Sequence, residues 1–185
     1  MEDLLKTISD KLSSYNFFNY LFPGAVFGIV SKYVSCFNLF FDSWVENIII
    51  CYLVGMVLSR IGSIIVEPIL KKIKRKDKQL NKKVPVLNYA PYSEYKEAKE
   101  HDNSIEILLE VNNMYRTLVA TFLALFIFKI ILTIPSFINS TYKITINELG
   151  SYFLFIGLLI LFIYSFIKQT EFIYKSVKHY IEKDK

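Results

Sequence analysis

Two cysteines, Cys36 and Cys51, are all that this chain has. Two thiols with no ligand spacing between them give neither a metal site nor a disulfide framework. Both read as small apolar fillers in or beside helices. Enzyme signatures are missing too: there is no glycine-rich phosphate loop, no nucleophile elbow and no HExxH. Glu97 and His101 stand four apart, but a metal would need one more acidic ligand, and His179 in the tail reads as solvated. No enzyme activity, cofactor or metal is expected. Internal repeats are absent, and the two halves differ in polarity, which argues against a duplicated transporter. The opening stretch "MEDLLKTISDKLSSYN" lacks the basic start and cleavage-like site of a secretory signal. Its Leu5, Ile8 and Leu12 predict a short helix on a membrane surface.

What the chain does have is oil. Hydrophobic residues make up 53% of it and aromatics 16%, and they come in blocks rather than with the periodicity of a soluble domain. The blocks are 17–41, 45–66, 117–138 and 149–167. Each is near the ~17–25 residues that cross ~30 Å of hydrocarbon as a helix, and none shows the alternation of barrel strands. The predicted fold is therefore all-α, an integral membrane protein with four transmembrane helices and cytoplasmic helical extensions. Four parts follow: a surface helix with a first hairpin (1–67), a cytoplasmic basic loop and helix (68–116), a second hairpin (117–167) and a tail helix (168–185).

Lysine and arginine placement sets the orientation. "KKIKRKDKQLNKK" holds eight basic residues against one Asp, whereas the link near Asp42 to Glu46 has none and 139–148 has only Lys143. The positive-inside rule puts the basic segment, and with four spans both termini, in the cytoplasm. Lys outnumbering Arg, with frequent Ile and Asn, fits an AT-rich bacterial genome and hence a bacterial inner membrane.

After the basic run, "VPVLNYAPYSEY" carries Pro85 and Pro91 and reads as an extended connection. Residues 94–110 hold six acidic and two basic residues. Asn103 and Glu106 have capping-box spacing, so a helix is predicted from about Asn103 into the third span, ending at Pro135. In the tail, Ile173, Val177, Tyr180 and Ile181 share a face and predict an inward extension of the fourth span that covers Ile105, Leu108 and Leu109.

Lipid-embedded helices associate through small and polar residues. Gly24 and Gly28 make a GxxxG pair followed by Ser31, Lys32 and Ser35. Gly55, Ser59 and Ser63 recur at steps of four. Asn113, Thr117, Ala120, Thr121 and Ala124 mark the third span. Such stripes either pack helices or line a wet path. Pro23 either begins the first lipid helix or kinks a longer one. Lys32 and Lys129 read as snorkelling anchors. Arg60 lies just past the middle of the second span, where an unpartnered Arg costs ~2.5 kcal/mol or more. Ser59, Arg60, Ser63 and Glu67 fall on one face, and Glu110 or Asn113 could complete a stretched Arg60–Glu67 pair. The face is either an ion pair with snorkelling or a gate.

Lys71, Lys72, Lys74, Arg75, Lys76, Lys78, Lys82 and Lys83, with Arg116, are the candidate ligand site. The run fits topology alone, an anionic lipid surface, or the phosphates of a nucleotide or oligonucleotide. Tyr89, Tyr92 and Tyr95 beside it could stack on bases.

Two stretches, "YNFFNYLFPGAVF" (15–27) and "NNMYRTLVATF" (112–122), together with the order span, span, basic loop, helix, span, span, resemble the membrane subunit of Hailong-type bacterial anti-phage defence systems. The resemblance covers about a third of the chain by motif and all of it by layout. It implies a homo-oligomer that opens an ion-conducting path when it binds an oligonucleotide made by a partner nucleotidyltransferase. No ligand-contacting residue carries over. The alternative from another class is a non-conducting membrane adaptor that binds a cytosolic partner through its acidic helix and tail.

Overall fold

The computed structural model describes residues 14–35, 38–76, 82–138 and 146–183. The predicted surface helix before residue 14, Cys36 and Lys78 lie outside them. Residues 14–35 form one continuous helix, α1, made of an α turn Ser14–Asn16, a π turn Phe17–Leu21 and a regular stretch Phe22–Ser35. Helix α2, Trp44–Lys72, has the same construction, with a π turn at Gly62–Val66. Both π turns end two residues before a proline, Pro23 or Pro68. Proline removes one backbone donor and its ring crowds the carbonyl four residues back. In the wider turn the Phe22 N–H reaches the Phe17 carbonyl, and the Glu67 N–H reaches that of Gly62, so each helix passes its proline without ending. Of the two alternatives for Pro23, the longer helix running through it is the one observed.

Asn47 closes the turn into α2: its carbonyl accepts from the Phe41 N–H at 2.7 Å and its amide donates to the Phe41 carbonyl at 3.0 Å. After α2, the strands β1 (Lys74–Lys76) and β2 (Lys83–Pro85) pair antiparallel, with Lys74 opposite Pro85, Arg75 opposite Val84 and Lys76 opposite Lys83. The fold is thus mostly helical, with one small hairpin that the sequence reading did not include. The predicted extended link is shorter than expected. Helix α3, Tyr92–His101, starts directly after Pro91, with Glu94 in its first turn and Lys99 and His101 in its last, the charge order a helix dipole favours. Helix α4, Ser104–Ile138, is capped by Asp102 rather than Asn103. Asp102 accepts from the Ser104 N–H at 2.8 Å and from its hydroxyl at 2.7 Å. It runs three residues past Pro135, where the sequence predicted an end; membrane helices tolerate proline when neighbours satisfy the freed carbonyl. Helix α5 is Ile146–Lys183.

Among the described residues, three helices are long and apolar enough to cross a membrane: Trp44–Lys72, Ser104–Ile134 and Glu148–Glu182. Helix α1 is not among them. It nevertheless lies antiparallel along α2 at backbone contact, since a Cβ on Gly24 would overlap the Cys51 carbonyl and one on Gly55 the Tyr20 carbonyl. Gly28 faces the Phe40 ring. The three glycines predicted to pack helices therefore all sit where space is short. Helix α4 touches α1, α2 and α5. Leu118, Phe122, Leu125 and Phe155 form the core at the end remote from the hairpin, with Val26, Phe27 and Val30 of α1 against them. Val66, Leu70, Leu87, Val119, Ala120 and Phe166 form the next layer.

Beyond it, Ile105, Ala98, Ile173 and Val177 close a third layer, joined by Leu108, Leu109, Tyr180 and Ile181. The predicted cover of the α4 start by the tail is present, with α3 as a third wall that the sequence reading missed. Tyr180 donates to Asp102 at 2.6 Å. That bond, and then the two from Ser104, hold the Asp102 carboxyl below its ordinary value. A lowered folded pKa adds stability that is present above the unfolded value of ~3.9 and is lost as pH falls through the folded one. Acidification below pH ~4 is expected to loosen the α3–α5 contact, read as faster amide exchange in 92–105 and 173–182. Tyr180→Phe should shift that loss to higher pH.

Much of the outer surface is oil. Ile49, Leu53, Val57 and Ile64 on α2, and Phe153, Leu154, Ile160, Leu161 and Tyr164 on α5, are exposed. Only 11% of the apolar window of α5 is buried, so lipid or further copies must cover it. One stripe of α5, Phe155, Phe162 and Phe166, packs on α4.

Candidate functional site

The polar residues fall into four groups, and they do not form the face the sequence suggested. Arg60 is exposed, on the same side as Val57 and Ile64, while Ser59 is buried and Ser63 donates to the Arg60 carbonyl at 3.0 Å. Glu67 is not paired with Arg60. The π turn between them adds in effect one residue, which rotates the helix by about 100° and carries Glu67 to the α4 side. There it accepts from Arg116 at 2.7 Å and pairs with Lys71 at 2.8 Å. Both carboxylate and guanidinium are largely shielded, at 15% and 17% side-chain exposure, and the Arg116 Nε has no partner among the described residues. The Gly62 backbone lies against Arg116: a Cβ there would meet the Arg116 carbonyl at 3.1 Å. The Lys71 ammonium sits 4.5 Å from the centre of the Tyr89 ring. Burial first, and the Glu67 carboxylate second, push the Tyr89 hydroxyl up from its ordinary value. Arg116, placed with the ligand site by sequence, thus belongs to a clasp between α2 and α4.

Thr117 and Thr121 are fully buried, and their hydroxyls donate to the Asn113 and Thr117 carbonyls at 2.9 Å. Within one chain they pack helices and line no open path. Asn113 is half-buried; its neighbour Asn112, which sequence reasoning passed over, is the buried amide and accepts from Thr170 at 3.2 Å. Helical phase against Ile105, Leu108 and Leu109 would have found it, since 105, 108, 109 and 112 share one face.

Lys129 overturns its reading as a surface anchor; Lys32, by contrast, is exposed. Lys129 is buried, donates to Ser151, and lies 4.4 Å from the Tyr152 ring centre and 5.9 Å from that of Phe155. Aromatic faces attract a desolvated ammonium by ~2 kcal/mol. Lys129→Met keeps the stem on those rings and is expected to leave the thermal midpoint in detergent within a few degrees. Lys129→Glu turns a charge against the negative ring faces and should abolish recovery of folded protein.

The fourth group is the hairpin. Lys74, Lys76 and Lys83 share one face of the two strands, and Lys76 stands directly opposite Lys83, an arrangement that costs stability unless an anion covers it. Lys74, Lys76, Lys82 and Lys83 are all exposed and join no ion pair among the described residues, whereas Arg75, on the opposite face, bonds Glu171 of α5 at 2.9 Å. Lys72 is exposed at the end of α2. Of the predicted basic residues, the hairpin therefore gathers Lys74, Lys76, Lys82 and Lys83 into an open cationic surface. It assigns Lys71 and Arg116 to the clasp and Arg75 to a tether. Glu171 also holds Lys175 at 3.0 Å, and Glu94 of α3 holds Lys178 at 2.8 Å, so hairpin, α3 and α5 are tied together.

The architecture defines a class: a helical membrane protein whose bundle is capped at one end by a basic hairpin and a short helix. No family model, curated protein or solved structure matches the chain.

Proposed function

We propose that the chain is the subunit of a homo-oligomeric, ligand-gated membrane effector, with four spans and both termini in the cytoplasm. The carrying observation is the open cationic face of Lys74, Lys76 and Lys83, bonded through Arg75–Glu171 to a helix that continues into the apolar bundle. A polyanion, in the first instance a nucleotide or oligonucleotide from a partner nucleotidyltransferase in anti-phage defence, relieves the like-charge contact there. If it does so better in an open state, it shifts the equilibrium to that state. Helix α1 counts as the fourth span because it follows α2 at backbone distance, and the basic end faces the cytoplasm by its lysine excess. The path would run between copies, where Arg60 is exposed on α2.

Replacing Lys72, Lys74, Lys76 and Lys83 with Gln is expected to abolish an oligonucleotide response in liposome flux and to leave the thermal midpoint unchanged or higher. An unaltered response removes the hairpin from the reading. A second reading is a non-conducting adaptor, favoured by the fact that Thr117 and Thr121 are satisfied inside one chain. Purified protein that stays monomeric in detergent and shows no bilayer conductance would select it.

A further inference from the structure

The cytoplasmic end of α2 has a sequence that fits two registers. Residues 61–73 read IGSIIVEPILKKI, with an apolar pair at successive turns, Ile65 with Val66 and Ile69 with Leu70. One member of each pair is in the core and the other is outside: Val66 and Leu70 are 5% and 7% exposed, Ile65 and Ile69 46% and 54%. The π turn at Gly62–Val66 makes that choice. It holds in effect one residue more than an α turn, so everything after it is rotated by about 100°. Were the turn rewound as α helix, Ile65 and Ile69 would take the places of Val66 and Leu70 in the layer with Val119 and Phe166. That layer would still be filled by aliphatic side chains of similar volume, a swap that interiors tolerate. The polar residues follow the same arithmetic. Seven α residues make nearly two whole turns, so Glu67 would leave Arg116 for the face of Arg60. Arg60 is exposed and makes no ion pair among the described residues. The present register is held by the Glu67–Arg116 pair and by Pro68, which has no N–H for the Ile64 carbonyl and crowds it with its ring. Only Ile73 separates α2 from β1, and its carbonyl accepts from the Val86 N–H at 2.9 Å, so the hairpin turns with the helix end. The other tether, Arg75–Glu171, is a partly exposed ion pair, a kind that is weak and readily broken.

We propose that α2 is a two-register helix. Its π turn rewinds to α, and the end from Glu67 onward rotates by about 100° with the hairpin. Ile65 and Ile69 then exchange with Val66 and Leu70 in the core, and Glu67 passes from Arg116 to Arg60. Packed interiors switch between discrete arrangements of this kind rather than deforming gradually. The device stands on the helix itself. Joined to the ligand-gated reading above, it is the two-state element that reading needs: Lys74, Lys76 and Lys83 occupy a different place in each register, and an anion that binds one of them better shifts the helix to it.

The test is reciprocal thiol labelling of the full chain in nanodiscs, with a maleimide as probe and Cys36→Ser and Cys51→Ala as background. Ile69→Cys is expected to label about tenfold faster than Leu70→Cys, which reacts only through local opening. Pro68→Ala restores a donor for the Ile64 carbonyl and favours the α register, so labelling at 70 should rise about threefold or more while labelling at 69 falls. Adding Arg60→Gln removes the new partner of Glu67 and should reverse much of that exchange. Deleting Ile64 takes out the extra residue, so that a plain α helix keeps Val66, Glu67 and Leu70 on α4; in that chain Pro68→Ala should leave both rates unchanged. Rates that rise together at 69 and 70 report fraying, and rates that Pro68→Ala leaves alone report a single register; either result overturns the proposal. Flux separates it from the gating reading. The Ile64 deletion is expected to lose the oligonucleotide response with an unaltered elution profile, and a parental response there overturns the switch as the gating element. Reciprocal labelling with no oligonucleotide flux in any variant supports the two registers and overturns the ligand-gated reading instead.

Discussion

Leucine at Gly55 is expected to prevent assembly of the bundle, with no monodisperse protein recovered in detergent. The contact is reciprocal. A Cβ at Gly55 falls on the Tyr20 carbonyl, with the Tyr20 Cα at 2.8 Å, and one at Gly24 falls on the Cys51 carbonyl, with the Gly55 nitrogen at 2.9 Å. The obstacles are backbone atoms, which cannot rotate aside as a side-chain tip can. Any side chain must therefore push α1 away from α2. In lipid, little hydrophobic force draws the helices back, because acyl chains solvate the separated faces as well as the partner does. Alanine at either position is expected to cost about 1–3 kcal/mol, the range for overpacked interiors. Gly150→Ala and Gly157→Ala are the controls. No described residue comes within 4 Å of their would-be Cβ atoms, and alanine in a helix interior is better than glycine by about 0.5–1 kcal/mol. Thermal unfolding followed by fluorescence-detected size exclusion separates the two pairs. A Gly55→Leu protein as stable as the parent would show that the two helices do not meet as described.

The second large effect is expected at Glu67. Its carboxylate is the shared anion of Arg116 and Lys71. Glu67→Gln strands a guanidinium of 17% exposure whose Nε already lacks a partner among the described residues. Breaking a shielded pair from one side costs about 3 kcal/mol, most of it the penalty for the charge left behind. Replacing both partners, Glu67→Leu with Arg116→Leu, removes that charge and should recover most of the loss. Stability in detergent checks both. If the single and double variants melt alike, the pair is not the clasp between α2 and α4. In the gating reading the same cluster lies between ligand platform and bundle. The double variant, though stable, should then respond to oligonucleotide at an altered threshold.

The helical framework was legible because lipid imposes it. Blocks of about twenty apolar residues admit a helix and little else, which located α2, α4 and α5 and the helical phase that lays the tail over Ile105 and Leu109. Gly24 and Gly55 were legible for a related reason: only glycine allows two backbones to meet. Capping-box spacing at Asn103 and Glu106 placed the start of α4 where it is, at Ser104, although the side chain that caps it is that of Asp102, which reaches both Ser104 groups and Tyr180. What misled was local. Pro135 looked like a terminator and is not.

Composition and order alone fixed that this is an oily, helical chain with one strongly basic segment, because hydrocarbon thickness and charge placement act on sequence directly. Partnership is different in kind. Which side of α2 carries Glu67 turns on a π turn that no periodicity announces. Whether Lys129 reaches water turns on aromatic rings twenty-odd residues away. The hairpin that lines up three lysines exists only once α4 and α5 come together. Such groupings arise from through-space neighbours, and side-chain spacing along one chain carries no record of them.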